Sequence, residues 1–399
     1  MTSYGAFMPQ RYGITCTLWG ILGSQRSSNM RKISLAGPSL GDAEYKAVKK
    51  VLDSGYLTEG EVTREFEARV ASYVGVGHGI AFTSCTSALE VALRALGVGP
   101  GDEVVVPDYT YPATADAVRI VGADPVLVDV NLESYNIDVA SARSSLTGST
   151  KCILPVSLFG NPIDPEVYDL ASENELSVVE DAACSLGAEI KGRKVGCFAD
   201  VTCFSFHPRK LITTGEGGML VTENDDIADK ARLYKRFGGR PSGDGFTTEF
   251  RHLGVNYKLS DVLSAIGVEQ MKKVEDMISE RIRMARTYDG LLDGLDWCSV
   301  PSSTGKVRHT YQTYCILLGI DGIRDKVIRR LRKEGIELQI GTYALHLQPF
   351  FKDAPSRSSL SNSERLFRNS VSLPLHLGLS EGDQRTVVEA LVGAVEDES

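Results

Sequence analysis

The clearest chemistry lies between Val201 and Met219, which read Val-Thr-Cys-Phe-Ser-Phe-His-Pro-Arg-Lys-Leu-Ile-Thr-Thr-Gly-Glu-Gly-Gly-Met. A strand-like run to Phe206 is followed by Lys210, on a short loop closed by Gly215, Gly217 and Gly218. A lysine held on such a loop can present its amine to a carbonyl and form a Schiff base. Alone, it reads equally as a solvated lysine beside Arg209. Two further segments change that balance. Asp181 follows the short run Leu176–Val179 at an expected strand end, where a carboxylate can hold the protonated ring nitrogen of pyridoxal phosphate. Thr83-Ser-Cys-Thr-Ser87 precedes an expected helix, and hydroxyls and free amides at a helix start suit a phosphate. In isolation Asp181 is also a loop or cap residue, and the Thr83–Ser87 segment a simple helix cap. In this order the three reinforce one another.

The surrounding elements would have to hold these groups together. Apolar residues at helical spacing predict helices over 43–54 and 86–96. Short Val-rich runs at 103–107, 125–130, 152–156, 177–179, 201–206 and 219–221 predict strands buried on both faces, as in a parallel sheet covered by helices. Such an α/β sheet places its site at the carboxyl ends of the strands. Beyond Asp261 the texture changes. One long helix is expected over 261–286, then a strand over 313–318, a basic helix over 324–334, a serine-rich exposed loop over 356–363 and a closing helix over 386–395. The division this implies is an extension over 1–29, a large domain over 30–275 and a smaller one over 276–399. Within the extension, mixed apolar and polar residues from Tyr12 to Gly23 make a weak signal-peptide core, and Met30 is an alternative start.

Composition excludes several classes. The 399 residues carry 43 basic and 52 acidic side chains, a formal net charge of −9, against the basic face expected of a nucleic-acid binder. No apolar run reaches the roughly 18 residues needed to span a membrane. Eight scattered cysteines without a CxxC pair suit reduced thiols in a cytoplasmic protein. The six histidines show no metal-ligand spacing, and no metal is expected.

With these residues in place, the chain from about Ile33 to Leu379 resembles the DegT/DnrJ/EryC1/StrS family of sugar aminotransferases. The landmarks are Gly-Tyr-Leu-Thr-Glu-Gly (55–60), Ser-Cys-Thr-Ser-Ala-Leu (84–89), Thr-Tyr-Pro-Ala-Thr (110–114), Glu-Asp-Ala-Ala (180–183), Ser-Phe-His-Pro-Arg-Lys (205–210), Gly-Glu-Gly-Gly (215–218), Gly-Val-Asn-Tyr-Lys-Leu (254–259) and Leu-Pro-Leu-His (373–376). The resemblance implies a fold-type-I pyridoxal-phosphate enzyme: a large domain with a mostly parallel central sheet flanked by helices, and a smaller C-terminal α+β domain.

It also implies roles. Lys210 matches the cofactor-bearing lysine and proton shuttle, and Asp181 the partner of the ring nitrogen. Thr86, Ser87 and Ser205 match phosphate ligands, and Tyr111 the aromatic stacked on the ring. Asn256 matches an asparagine reaching the phosphate of the neighbouring subunit, which implies a homodimer with shared sites. Three positions depart from the family pattern. Cys184 stands where glutamine or histidine is common near the ring hydroxyl, Cys85 replaces a glycine of the phosphate loop, and Lys258 replaces an arginine. The implied reaction moves an amino group from an amino acid, usually glutamate, to a 3- or 4-keto sugar on a nucleotide diphosphate. His346 is the best polar candidate for contacting substrate, with Lys258 a second. The readings left beside this one are a cyclitol aminotransferase, an aminohydroxybenzoate synthase, a sugar dehydratase (whose branch carries histidine in place of the lysine, with His207 nearby here) and a non-enzymatic regulator.

Overall fold

The short apolar runs form strands whose alternate residues enter different cores. In a computed structural model of the chain, which describes residues 32–303 and 305–398, seven of them make one sheet. They are β1 (His78–Phe82), β2 (Glu103–Pro107), β3 (Asp124–Val128), β4 (Thr150–Ile153), β5 (Ser177–Asp181), β6 (Val201–Ser205) and β7 (Gly218–Thr222). Val104 and Val106 pack into one core while Val105 packs into another across the sheet, and Cys203 and Phe204 divide in the same way. A period of two with both faces buried is why these strands read as continuous apolar runs rather than alternating ones.

The sheet order is β1-β7-β6-β5-β4-β2-β3. Pairing is parallel from β3 through β6, while β7 is antiparallel to β6 and β1 to β7. Asp181 and Ser205 end neighbouring parallel strands, and Gly218 begins the antiparallel strand beside them, so all three lie at one edge of the sheet. The helix Cys85–Ala95, which follows β1, starts at the same edge.

A second, antiparallel sheet comprises β8 (Cys298–Ser299), β9 (Tyr314–Leu318), β10 (Gln339–Ile340) and β11 (Ser370–Leu373), in the order β8-β9-β11-β10. The helices Arg324–Lys333 and Glu381–Glu398 cover it over a core of its own. From Lys32 onward the chain nevertheless forms one compact unit. The expected boundary at 275/276 falls in the first turn of the helix Val274–Leu292, which buries Met277 and Ile278 in a core of the large sheet and Tyr288 and Leu292 in that of the small one. The expected extension over 1–29 lies outside the described residues.

Two expectations need correction. The single helix over 261–286 is two helices, Asp261–Met271 and Val274–Leu292. The break falls at Lys272-Lys273, where Lys273 pairs with buried Glu44 at 2.5 Å and Gln270 donates to Ser39 O and Glu44 Oε1 at 2.8 and 2.7 Å. These contacts tie the first helix to the N-terminal helices, and the second starts afresh toward the other core. The serine-rich loop over 356–363 ends inside the helix Ser361–Asn369. Its first amides are capped from a distance: Asn362 N and Ser363 N donate to the Asp129 carboxylate at 3.1 and 2.8 Å. That cap satisfies orphan helix-start donors, and local sequence cannot reveal it.

A buried ion network fixes the landmark loop 55–60. Lys235 is buried and pairs with Glu59 and, at 2.9 Å, with Glu67, while donating to Ala81 O at 3.0 Å; Arg236 holds the other Glu59 oxygen at 2.7 Å. Removing one member of such a network strands its partners without water. Lys235→Met should therefore cost about 3–5 kcal/mol of stability, read from urea unfolding against the parent protein.

Candidate active site

A cavity of about 580 Å³ opens at the sheet edge where Asp181 and Ser205 end their strands. Ser84, Cys85, Thr86, Tyr111, Thr114, Asp181, Cys184, Ser205, His207 and Lys210 line it. The sequence-expected residues that meet there are thus Thr86, Tyr111, Asp181, Cys184, Ser205 and Lys210.

Asp181 is buried at the floor. Thr114 Oγ1 donates to its Oδ2 at 2.8 Å and the Ala183 amide to its Oδ1 at 3.1 Å. Burial raises the Asp181 pKa, and the Thr114 hydroxyl, the Ala183 amide and the Lys210 charge pull against that rise. Lys210 Nζ donates to Cys184 Sγ at 3.2 Å. Burial alone would lower its pKa; the Cys184 sulfur, with Asp181 and Cys85, outweighs burial and holds the amine above the ordinary lysine range. An amine and a buried carboxylate therefore face one cavity and act on each other's charge.

The helix Cys85–Ala95 supplies the third component. Ser84 caps it by accepting from the Ser87 amide at 3.1 Å, and the Ser87 hydroxyl completes the box by accepting from the Ser84 amide at 3.1 Å while donating to Ser84 O at 2.8 Å. Ser87 is thus buried in the cap, outside the cavity lining, and Ser84 and Thr86 present the hydroxyls instead. The first amides of this helix have no intrahelical acceptor and point, with the dipole, at whatever anion occupies the site. Cys85 sits in the first helical turn and has no positive φ, so the glycine-to-cysteine departure costs no backbone strain here. Gly218 packs directly beneath: a Cβ at that position would lie 2.4–2.5 Å from Ser84 C and O and Cys85 N. A cradle this close, a buried acceptor for a cationic ring nitrogen and a reachable amine together fit pyridoxal phosphate.

Three expected residues stand elsewhere. His346 is held by Asp108: its Nδ1 lies 2.7 Å from Oδ2 and its amide donates to Oδ1 at 2.8 Å. That bond raises the His346 pKa, and the side chain is not part of the cavity lining. Lys258 donates to Asn256 Oδ1 at 2.5 Å, and both lie outside this cavity, Asn256 on the surface. The segment carrying them is pinned by Val255 N to Tyr234 O at 2.8 Å and by Thr83 N to Tyr257 O at 3.0 Å. Conversely, Thr114 and Ser84 were not singled out from sequence, although both lie in quoted landmarks; Thr114 could have been found as the hydroxyl four residues after Thr110 in Thr-Tyr-Pro-Ala-Thr.

Residues 38–392 match the DegT/DnrJ/EryC1/StrS aminotransferase family. The chain belongs to this family. It is 37% identical over 369 residues to GDP-perosamine synthase of Caulobacter vibrioides, covering 91% of this chain and 98% of that one. A Streptococcus pneumoniae protein solved in both its PLP and PMP forms superposes with a TM-score of 0.88 at 26% identity, over 92% of this chain and all of the other. PseC of Helicobacter pylori, an aminotransferase of pseudoaminic acid biosynthesis, superposes at 0.87 with 28% identity and the same coverage. The protein is a pyridoxal-phosphate-dependent aminotransferase. No group of metal-binding side chains and no helix long and apolar enough to cross a membrane occurs among the described residues.

Two consequences follow for measurement. Glu180, beside Asp181 on β5, is buried, accepting from Ser157 Oγ at 2.5 Å and Tyr168 OH at 2.9 Å; burial pushes its pKa up to about 7, against the opposing pull of those two hydroxyls. Its folded pKa thus lies above the unfolded value of 4.5, so the protonated form favours folding and that contribution is lost as pH rises toward 7. Glu180→Gln should remove a pH-dependent loss on the order of 3 kcal/mol between pH 4.5 and 7, visible in urea midpoints across that range. Gly218→Ala should displace the Ser84–Cys85 cradle and weaken PLP binding at least about tenfold in a reconstitution titration, the scale of one charge-assisted hydrogen bond.

Proposed function

We propose that this aminotransferase moves an amino group from L-glutamate to the keto carbon of a 3- or 4-keto sugar linked to a nucleotide diphosphate, and that it works as a homodimer whose sites are shared between subunits. The observation that carries the reading is near-full-length similarity to a GDP-perosamine synthase, joined to a cavity in which Lys210 and Asp181 face each other. Lys210 stands where the dehydratase branch has histidine; His207 lines the same cavity without replacing it. We place the reaction in the cytoplasm, where the thiols of Cys85 and Cys184 beside Lys210 stay reduced.

When bound, PLP supplies an electron sink for the negative charge that develops on the donor carbon. Asp181 holds a proton on the ring nitrogen, kept in place by Thr114 and the Ala183 amide. Ser84, Thr86 and the first amides of the helix Cys85–Ala95 take the phosphate, and Ser205 stands across from them. Tyr111, 65% exposed at the cavity edge, would pack against the ring. Lys210 Nζ would take the proton from the donor carbon in the first half-reaction and, after the keto acid has left and the acceptor has entered, give a proton to the acceptor's keto carbon in the second. Asn256, exposed and outside its own subunit's cavity, suits a contact made in the neighbouring site.

Turnover of a panel of keto-sugar nucleotides with glutamate tests the reaction; no product from any of them overturns it. The shared site is tested by mixing inactive Lys210→Ala subunits with Asn256→Ala subunits. If Asn256 acts across the interface, each heterodimer holds one site lacking both groups and one intact, and activity rises on equimolar mixing toward about a quarter of the wild-type value, since half of the dimers are heterodimers with one intact site of two. If it serves its own subunit, mixing restores nothing.

A further inference from the structure

The basic helix Arg324–Lys333 holds six cationic residues in ten, in a chain of net charge −9, and the reaction assigned above uses none of them. Its two sides differ. Lys326 and Arg330 point to the closing helix, where they pair with Glu398 at 3.0 Å and Asp397 at 2.5 Å. Arg329 and Arg332, three residues apart and so on one face, line a second cavity of about 530 Å³. Arg332 is anchored by donating to Leu338 O at 3.1 and 2.8 Å, while the exposed Arg329 makes no hydrogen bond or ion pair among the described residues. Arg209 contributes a third guanidinium from the Lys210 loop, and the single carboxylate in the wall, Asp325, is engaged by Arg324 at 2.7 Å. This cavity adjoins the cofactor cavity: Tyr111, Arg209, Gln339, Ile340, Gly341 and Thr342 line both. Tyr343, whose ring centroid lies 6.3 Å from that of Tyr111, adds an aromatic face.

We propose that this second cavity is the acceptor subsite, in which Arg329, Arg332 and Arg209 take the diphosphate of a nucleotide-linked sugar and so set the sugar's keto carbon over Lys210. The inference rests on the sugar-nucleotide reading of the reaction and deepens it. Planar guanidinium forks match phosphoryl oxygens and are weakly hydrated, so they exchange water for phosphate at low cost. Three of them against one engaged carboxylate suit two adjacent phosphoryl charges better than the single carboxylate of an amino-acid side chain or inorganic phosphate. Aromatic surface beside an anion site provides what a base or sugar ring needs on either side of a diphosphate.

The test is calorimetric titration of the PLP-loaded enzyme with GDP, UDP and dTDP, with inorganic phosphate as a separate arm. At least one nucleoside diphosphate should bind ten or more times tighter than phosphate. Arg329→Gln, at an exposed position without a hydrogen bond or ion pair among the described residues, should weaken that binding about 10–100-fold, the range of one or two lost charge-assisted hydrogen bonds, and Arg329→Lys should recover part of it. In turnover the loss should fall on the KM of the acceptor rather than that of glutamate. Binding unaffected by Arg329→Gln, equal affinity for inorganic phosphate, no binding of any of the three nucleotides, or a rise confined to the glutamate KM would each overturn the subsite. Arg329-dependent nucleotide binding without turnover of any keto-sugar nucleotide would refute the reaction reading and leave the diphosphate site standing.

Discussion

A carboxylate buried at the end of a fully covered strand must be compensated, and the active site is arranged around that requirement. Asp181 lies at the end of β5, buried at the wall of the cavity. An isolated buried charge is far too costly to keep, so its surroundings must supply donors and a cation. Thr114 and the Ala183 amide supply the donors, and the Lys210 charge acts across the cavity. The carboxylate also lines the cavity, where a ligand bringing a positive charge, as a protonated pyridine ring does, would complete its compensation. Loss of the Thr114 hydroxyl or of the sheet edge would change the electrostatics of the same atom.

The sheet meets this requirement by topology. Parallel pairing brings the ends of β5 and β6 together, and the reversal at β7 returns the chain under the start of the helix Cys85–Ala95. A glycine is required at that return because the backbone of Ser84 and Cys85 occupies the space of a Cβ at position 218. Further out, the helix Val274–Leu292 spans both cores, and its buried Arg281 donates to the carbonyls of Tyr311, Gln312 and Leu375. One guanidinium thereby joins the small-sheet segments to the helix that leaves the large sheet. Because Leu375 lines the cofactor cavity as well, the same contact helps set its wall.

Charge is distributed unevenly over this frame. The chain is acidic overall, and many of its lysines and arginines are engaged in ion pairs, such as Lys49 with Asp53 and Arg69 with Glu65, worth little individually at the surface. The cavity faced by Arg329 and Arg332 differs because three arginines line it against a single carboxylate, Asp325, beside the aromatic residues Tyr111 and Tyr343. Net charge alone pointed away from nucleic acids; it carried no information about one concave, arginine-lined cavity on an otherwise acidic molecule.

Much of the large sheet was legible in the sequence, because strands buried on both faces need unbroken apolar runs and helices around them need a helical period. Val104–Val106 and Val201–Phe206 could hardly be anything else. That Lys210 and Asp181 belong to one site was legible too, since a loop lysine and a strand-end carboxylate carry their chemistry in residue type and order, and both line the same cavity. Position decided the rest. Ser87, expected to face a phosphate, is drawn into the cap of its own helix by hydrogen bonds three residues apart, and Ser84 takes its place at the cavity. His346 is claimed by Asp108, more than two hundred residues away, and the break after Met271 answers to Glu44 and Ser39. The serine-rich stretch becomes a helix start because Asp129 caps it from another part of the chain. Sequence by itself determined what is set by periodicity and residue chemistry: the buried strands, the lysine and the carboxylate. Only the tertiary structure decided which polar atoms meet, because a hydrogen bond reaches about 3 Å and its partner's place along the chain leaves no local mark.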